Sequence, residues 1–239
     1  MNLRPAYLAA LAVAAASACS HPPPGAQPQP ANAKAAKAEA AKAEPAAAAA
    51  SDPLVGPAKA RADSARYPYT QADIDFMSGM IHHHAQAIVM AKWAPTHGAS
   101  ESIRTLCARI INAQQDEIVT MQNWLRDRHQ PVPEATAGPM MMDMCGMKQE
   151  MLMPGMLTDE QMKALDAARG RQFDELFLRD MIQHHTGAVS MVNQLFSSYG
   201  AAQDELTFKL ASDINVDQRT EIARMQRMLV ALTFGPDSL

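Results

Sequence analysis

The segment FMSGMIHHHAQAIVM at residues 76–90 is followed 101 positions later by FLRDMIQHHTGAVSM at residues 177–191. Phe, Met-Ile, His-His, Ala and Met occupy equivalent places in the two copies. Residues 110–125 match residues 214–229 in the same way, at an offset of 104. The chain of 239 residues therefore contains a duplicated unit made of two segments.

Apolar residues in the repeated segments recur with the period of an α-helix. Phe76, Met80, His84 and Ala87 lie on one stripe at about 100° per residue. The first long helix is predicted to end at about residue 94. Three more are predicted over residues 102–128, 171–198 and 202–232. Thr158, followed three residues later by Gln, has the spacing of a capping box and predicts a short helix in the connection. The sequence predicts an all-α fold, an antiparallel four-helix bundle built from two duplicated helical hairpins.

The first 66 residues differ in composition from the rest of the chain. Residues 1–19 hold one basic residue and a short apolar run, which is typical of a signal peptide. Their end, Ala-Ser-Ala-Cys, fits either plain cleavage or a lipobox that lipidates Cys19. Residues 20–66 are rich in Ala, Pro and Lys and predict a disordered linker. The bundle is predicted over residues 67–239, with hairpins at about 70–130 and 158–234 and a Met-rich connection at 138–157.

Charge is unevenly distributed along the chain. The formal net charge is −4, and residues 1–66 hold seven basic and four acidic residues, which leaves residues 67–239 with a net charge of −7. A nucleic-acid-binding protein normally presents a basic surface, so we expect no nucleic-acid partner. An acidic domain instead suits a cationic ligand.

Histidine and methionine share the inner stripe of the first helix in each predicted hairpin. Residues three, four and seven positions apart lie on adjoining turns, so we expect these side chains to reach one volume. Buried imidazoles need partners, and a metal ion is one such partner. The candidate ligands are Met80, His83, His84 and Met90 in the first repeat and Met181, His184, His185 and Met191 in the second.

The second helix of each hairpin places polar residues on its core face. They are Gln114 and Glu117 in the first repeat and Gln218 and Glu221 in the second. One interpretation is that a carboxylate accepts an imidazole N–H and so orients the ring toward a metal. The other is a His–Glu network that only fixes the register of the bundle.

The connection between the hairpins is crowded with sulfur. The chain has 18 Met residues, and thioethers select monovalent copper over zinc, magnesium or calcium. The connection is therefore a candidate for an additional metal site, and the alternative is a hydrophobic lid over one end of the bundle. The residues are Met140, Met141, Met142, Met144, Cys145, Met147, Met151, Met153 and Met156. Cys107 and Cys145 either form a disulfide or stay separate, as a core thiol and a copper ligand.

The pattern M-I-x-H-H-x-x-A-x-x-M occurs twice, at residues 80–90 and 181–191. With the flanking residues it resembles the bacterial domain-of-unknown-function family 305 over about residues 70–232. The resemblance implies an exported, ferritin-like four-helix bundle that binds copper through Met and His. By matching position, it implies the eight candidate ligands named above. His82 precedes the first His pair, which leaves the register of the ligands in that repeat ambiguous.

The favoured hypothesis is an exported copper-binding protein that sequesters copper or hands it on, with monovalent copper preferred, and that is not an enzyme. Its expected partners are the copper ion, copper-transport or efflux proteins, and an envelope membrane if Cys19 is lipidated. One alternative is a di-iron or di-manganese ferritin-like oxidoreductase. That chemistry uses Glu-x-x-His motifs, which the chain lacks. A structural envelope module without metal is the other alternative.

Overall fold

The computed structural model describes residues 56–66, 68–144 and 147–235, without the side chains of residues 142–144 and 148. The predicted signal peptide, most of the predicted linker, Cys19 and Cys145 lie outside the described residues. Six helices and one small sheet occur within them. Their order is α1 (Pro57–Arg66), α2 (Gln71–Lys92), α3 (Glu101–Asp127), β1 (Met140–Met144), β2 (Met147–Met151), α4 (Asp159–Ala167), α5 (Arg171–Ser197) and α6 (Glu205–Phe234).

The helices begin where the sequence carries capping residues. Thr70 accepts a hydrogen bond from the backbone N–H of Asp73, and the Asp73 carboxylate accepts one from the backbone N–H of Thr70 at 2.7 Å. Thr158 and Gln161 form the same reciprocal pair at the start of α4, which confirms the predicted capping box. Such pairs satisfy N–H groups that have no partner inside the helix.

The four long helices pack as two hairpins joined along one seam. Helix α2 packs against α3, α5 packs against α6, and α2 and α5 contact each other. The beginning of α2, around Phe76, shares a hydrophobic cluster with the end of α5, around Val192. The end of α2, around Ala91, shares a second cluster with Phe177 on α5. Helices α2 and α5 therefore run antiparallel.

Two connecting segments have regular structure that the sequence did not predict. Residues 57–66, predicted to be disordered, form α1, which packs against α3 and buries Ala60 and Asp63. Alanine favours helix strongly, and contact with α3 supplies the burial that the segment cannot provide for itself. The Met-rich connection forms an antiparallel hairpin in which Met140 pairs with Met151 and Met144 with Met147. The described residues are therefore mostly helical, as predicted, with one small two-stranded sheet in addition.

Candidate metal centre

Two histidines meet where α2 crosses α5. The ring centroids of His83 and His184 are 3.8 Å apart, with an angle of 40° between the rings. Both side chains lie in the interior, His83 at 1% and His184 at 0% exposure. The two histidines occupy matching positions of the repeated segments, so the contact lies on a local twofold relation between the hairpins.

The neighbouring histidines face the second helix of their own hairpin. The Nε2 of His84 donates to the Glu117 carboxylate at 2.7 Å, and the Nε2 of His185 donates to Glu221 at the same distance. The two ring pairs within the helices are also alike, with centroids 6.3 Å apart for His83 and His84 and 6.2 Å apart for His184 and His185. The duplication is therefore preserved in the geometry of the site.

Five imidazole nitrogens at this place have no hydrogen-bond partner. They are the Nδ1 atoms of His83, His84, His184 and His185 and the Nε2 of His184. In a neutral imidazole that donates from Nε2, the Nδ1 carries a lone pair, which is the form that binds metal. A buried polar atom left without a partner costs about 1–3 kcal/mol. The donor set therefore fits a metal ion better than it fits a closed hydrogen-bond network.

Burial keeps the two central rings neutral. It lowers the pKa of His83 and of His184 well below the usual range, because a charged imidazole loses its hydration in the interior. Positive charge on neighbouring histidines lowers both values further, from His84 on His83 and from His83 on His184. Protons therefore compete weakly for these lone pairs near neutral pH.

The thioethers flank the histidines as two pairs. All four are buried, and none is more than 7% exposed. Met80 and Met191 lie in one hydrophobic cluster, whereas Met90 and Met181 lie in the other. The eight candidate ligands thus consist of a central group of four histidines with a Met pair on either side, rather than one compact set.

The four histidines do not by themselves form a site of three imidazoles, and no carboxylate or cysteine of the described residues completes one. Among the described residues, no three side chains of His, Cys, Asp and Glu are grouped so as to hold one ion together. The predicted polar partners divide accordingly. Glu117 and Glu221 bond to imidazoles, while Gln114 and Gln218 are buried with side-chain amide atoms that have no partner. A metal ion held here uses imidazole nitrogen with thioether sulfur.

The end of the Met-rich connection crosses the centre on one side, a contact that the sequence did not predict. The Nε2 of His83 donates to the backbone oxygen of Pro154 at 3.1 Å. Gln86 holds Leu157 through two hydrogen bonds, at 2.7 and 3.0 Å. A Cβ on Gly187 would lie 1.8 Å from the Pro154 oxygen, so only glycine allows this approach. The buried polar position of Gln86 and the glycine on the helix face were the available signals.

The predicted sulfur residues of the connection differ in their exposure. Met153 and Met156 are buried, and Met140 and Met151 are half-buried. In contrast, Met141 is 54% and Met147 is 72% exposed. The side chains of Met142 and Met144 are not described, nor is Cys145. Cys107 is a buried free thiol, and burial raises its pKa to about 12.

The chain is similar to known proteins in both sequence and fold. The family model described as "Domain of unknown function (DUF305)" matches residues 73–229. A curated relative, "Uncharacterized protein L153" of Acanthamoeba polyphaga mimivirus, is 42% identical over 62 residues. That match covers 25% of this chain and 41% of the relative, so the chain spans about two fifths of the relative's length.

Solved structures of two proteins share the fold at moderate identity. A DUF305 protein of Streptomyces coelicolor, described as secreted, is 29% identical with a TM-score of 0.57, covering 67% of this chain and 93% of that one. CopM in its Cu(II)-bound form is 29% identical with a TM-score of 0.50, covering 66% and 95%. A silver-bound form of CopM gives the same identity and TM-score and covers 68% and 98%.

Among the described residues, no helix is long and apolar enough to span a membrane.

Proposed function

The chain belongs to the family described as Domain of unknown function (DUF305), and on that premise we propose that it binds monovalent copper at the four histidines between α2 and α5. The proposed ligands are His83, His84, His184 and His185 together with the flanking thioethers of Met80, Met90, Met181 and Met191. Glu117 and Glu221 orient His84 and His185 through the Nε2 bonds.

The observation that carries this proposal is the set of four buried imidazoles whose Nδ1 atoms have no partner. A purely structural network would satisfy both nitrogens of each ring. Copper in its monovalent state suits a site of imidazole and thioether without carboxylate. CopM, whose fold this chain shares, has been solved with silver bound, and silver is a soft monovalent ion like Cu(I).

The role is one of binding rather than catalysis. The family and CopM are not enzymes. A di-iron or di-manganese centre needs carboxylates from four helices, whereas the glutamates at this place come from α3 and α6 alone and bond to histidines. In this proposal copper is cargo, which the protein sequesters or hands on to copper-transport or efflux proteins.

The proposal includes a four-helix architecture and a location in the cell envelope for this protein. The long helices α2, α3, α5 and α6 form an antiparallel, ferritin-like four-helix bundle over residues 67–239. Residues 1–19 act as a signal peptide, and Cys19 carries a lipid that anchors the protein to the cell envelope. The similarity to a protein described as secreted supports export. The acidic domain supports a cation rather than nucleic acid as partner.

The test replaces the two central rings by apolar side chains. In the double variant His83→Leu/His184→Leu, affinity for Cu(I), measured by competition with a chromogenic chelator, falls by roughly a hundredfold or more, because the ligands themselves are lost. The matched control is His129→Asn, since His129 is exposed, lies on no repeated segment and has a positive φ of 55° that Asn tolerates. Unchanged Cu(I) affinity in the double variant would refute the proposal.

A further inference from the structure

A cavity of about 240 Å³ lies where the β1–β2 hairpin meets the beginning of α2 and the end of α5. Four methionines line it: Met140, Met151, Met153 and Met191. Of these, only Met191 belongs to the ligands proposed for the histidine centre. The other three come from the connecting segment, which the duplicated helices do not explain.

The backbone of the hairpin fixes two of these thioethers. Met140 and Met151 are directly opposite each other in the antiparallel pair, a position in which Cβ atoms are about 4.5–5.5 Å apart and side chains share one face. Both pack against the hydrophobic cluster around Phe76. Met141 and Met147 are exposed instead. The hairpin therefore directs Met140 and Met151 to the cavity and leaves Met141 and Met147 in solvent.

Gly79 makes room for the other two methionines. A Cβ at this position would lie 2.8 Å from the Sδ of Met153 and 3.4 Å from the Cε of Met191. Any larger residue would therefore compete with these side chains for the same space. The equivalent position in the second repeat is Asp180. The arrangement consequently exists on one side of the duplicated helices and has no counterpart on the other.

We infer that this cavity is a second, thioether-only site for a soft monovalent cation, which captures the ion at the surface before it reaches the histidines. The inference rests on the proposed copper-binding function. Thioethers select such ions over harder cations, and the Asp75 carboxylate at the cavity adds negative charge that attracts them. Met153 precedes Pro154, whose backbone oxygen contacts His83, so the two sites adjoin.

The experiment uses silver ions and the full chain. Silver is titrated calorimetrically into the wild type and into Met140→Leu/Met151→Leu, which keeps apolar volume but removes two sulfurs. In parallel, ¹³C-methyl methionine spectra of the wild type follow the signals of Met140 and Met151. The control is Met141→Leu/Met147→Leu, which removes two exposed sulfurs from the same hairpin. The variant His83→Leu/His184→Leu reports separately on the histidine centre.

The wild type and the control show two classes of sites, and the Met140 and Met151 methyl signals shift as the weaker class fills. In Met140→Leu/Met151→Leu the weaker class loses at least about tenfold in affinity, while the tighter class stays within about twofold. In His83→Leu/His184→Leu the tight class disappears and the methyl shifts remain. Wild-type methyl signals that do not respond to silver, or a Met140→Leu/Met151→Leu titration identical to that of the control, would overturn the capture site. If the tight class is lost in His83→Leu/His184→Leu, the proposed function holds even where the capture site fails.

Discussion

Four imidazole rings occupy the seam between α2 and α5, and each leaves its Nδ1 unpartnered. Leaving such atoms unpaired costs about 1–3 kcal/mol each, a large part of the stability of an ordinary domain. The two glutamates make this arrangement specific, since each accepts a hydrogen bond from Nε2–H and so directs the lone pair of the other nitrogen into the interior. The soft metal ion proposed for this place would remove that cost by taking the free lone pairs as ligands.

Cys107 is a buried sulfur that is not among the proposed metal ligands. It is 2% exposed, and burial, reinforced by the charge of Asp174, raises its pKa to about 12. Only about one thiol in ten thousand is then ionised at pH 8, and the thiolate is the reactive form. We predict that iodoacetamide leaves Cys107 unmodified in the native protein and modifies it fully in denaturant, as read by mass spectrometry of its peptide. Equal rates in the two conditions would contradict this assignment.

The residue pattern predicted the faces of the helices but not every contact. Helical period placed His84 and Glu117 on inner stripes, and the structure joins them. The same period placed Gln114 beside Glu117, yet its amide finds no partner. Spacing fixes which way a residue points from its helix, whereas the hydrogen bond also depends on the rotamer and on the crossing of a second helix. Gln86 was missed for the same reason, because its partner Leu157 lies 71 residues away.

At the scale of elements, the segment from Met153 to Leu157 links the hairpin to the helices. It is held by Gln86 on α2 and by the close approach to Gly187 on α5. The sequence could not predict the β1–β2 hairpin, because Met has neither β-branching nor an aromatic ring and the run lacks alternation. Its strands form because the chain between Met140 and Met151 can pair with itself over the apolar surface around Phe76.

Gly187→Ala tests how tightly that segment is held. Inside a helix, Ala is normally favoured over Gly by about 1 kcal/mol. Here the new Cβ would lie 1.8 Å from a backbone oxygen, and we predict a net destabilisation of about 1–3 kcal/mol. Denaturant unfolding measures it. Gly138→Ala is the matched control, since a Cβ there meets nothing within 4 Å. A Gly187→Ala protein as stable as the wild type would show that the segment is not held against α5.

Carboxylates on α3 and α6 lie close to one another, and their repulsion acts on Asp217. Burial raises the pKa of Asp217, and the charges of Glu117, Glu221 and Asp213 raise it further. Because this pKa is higher in the folded than in the unfolded chain, protonated Asp217 favours folding, and that contribution is lost as pH rises through the folded pKa.

We therefore predict that Asp217→Asn stabilises the protein at pH 7, by less than about 1 kcal/mol because the group is largely exposed. The gain in free energy of unfolding disappears below about pH 4, where the wild-type carboxyl is protonated as well. It also shrinks in 1 M salt, which screens charges beyond about 3 Å. A stability gain that is independent of both pH and salt would show that repulsion between carboxylates is not its cause.

At the scale of the whole molecule, the duplication was readable because two copies of one pattern stand at a constant spacing. The deviations from symmetry between the two hairpins could not be predicted from the sequence, since they come from segments outside the repeat. Residues 153–157 cross the centre on one side only, so His83 has a backbone partner and His184 has none. Helix α1 was missed because an Ala-rich stretch without an apolar face becomes stable only through its contact with α3.

A metal bound at the seam joins the two hairpins, because its ligands come from both α2 and α5. Ligand that binds only the folded chain stabilises it by about 4 kcal/mol at a thousandfold excess over Kd. For a domain of this size we therefore expect silver to raise Tm by on the order of 10 °C, with unfolding still a single transition. His83→Leu/His184→Leu removes the ligand on each side of the seam, and its Tm should change little when silver is added. An equal rise in wild type and variant would place the stabilising ion elsewhere, whereas a rise confined to the wild type ties the stability of the whole fold to the contact between its two repeats.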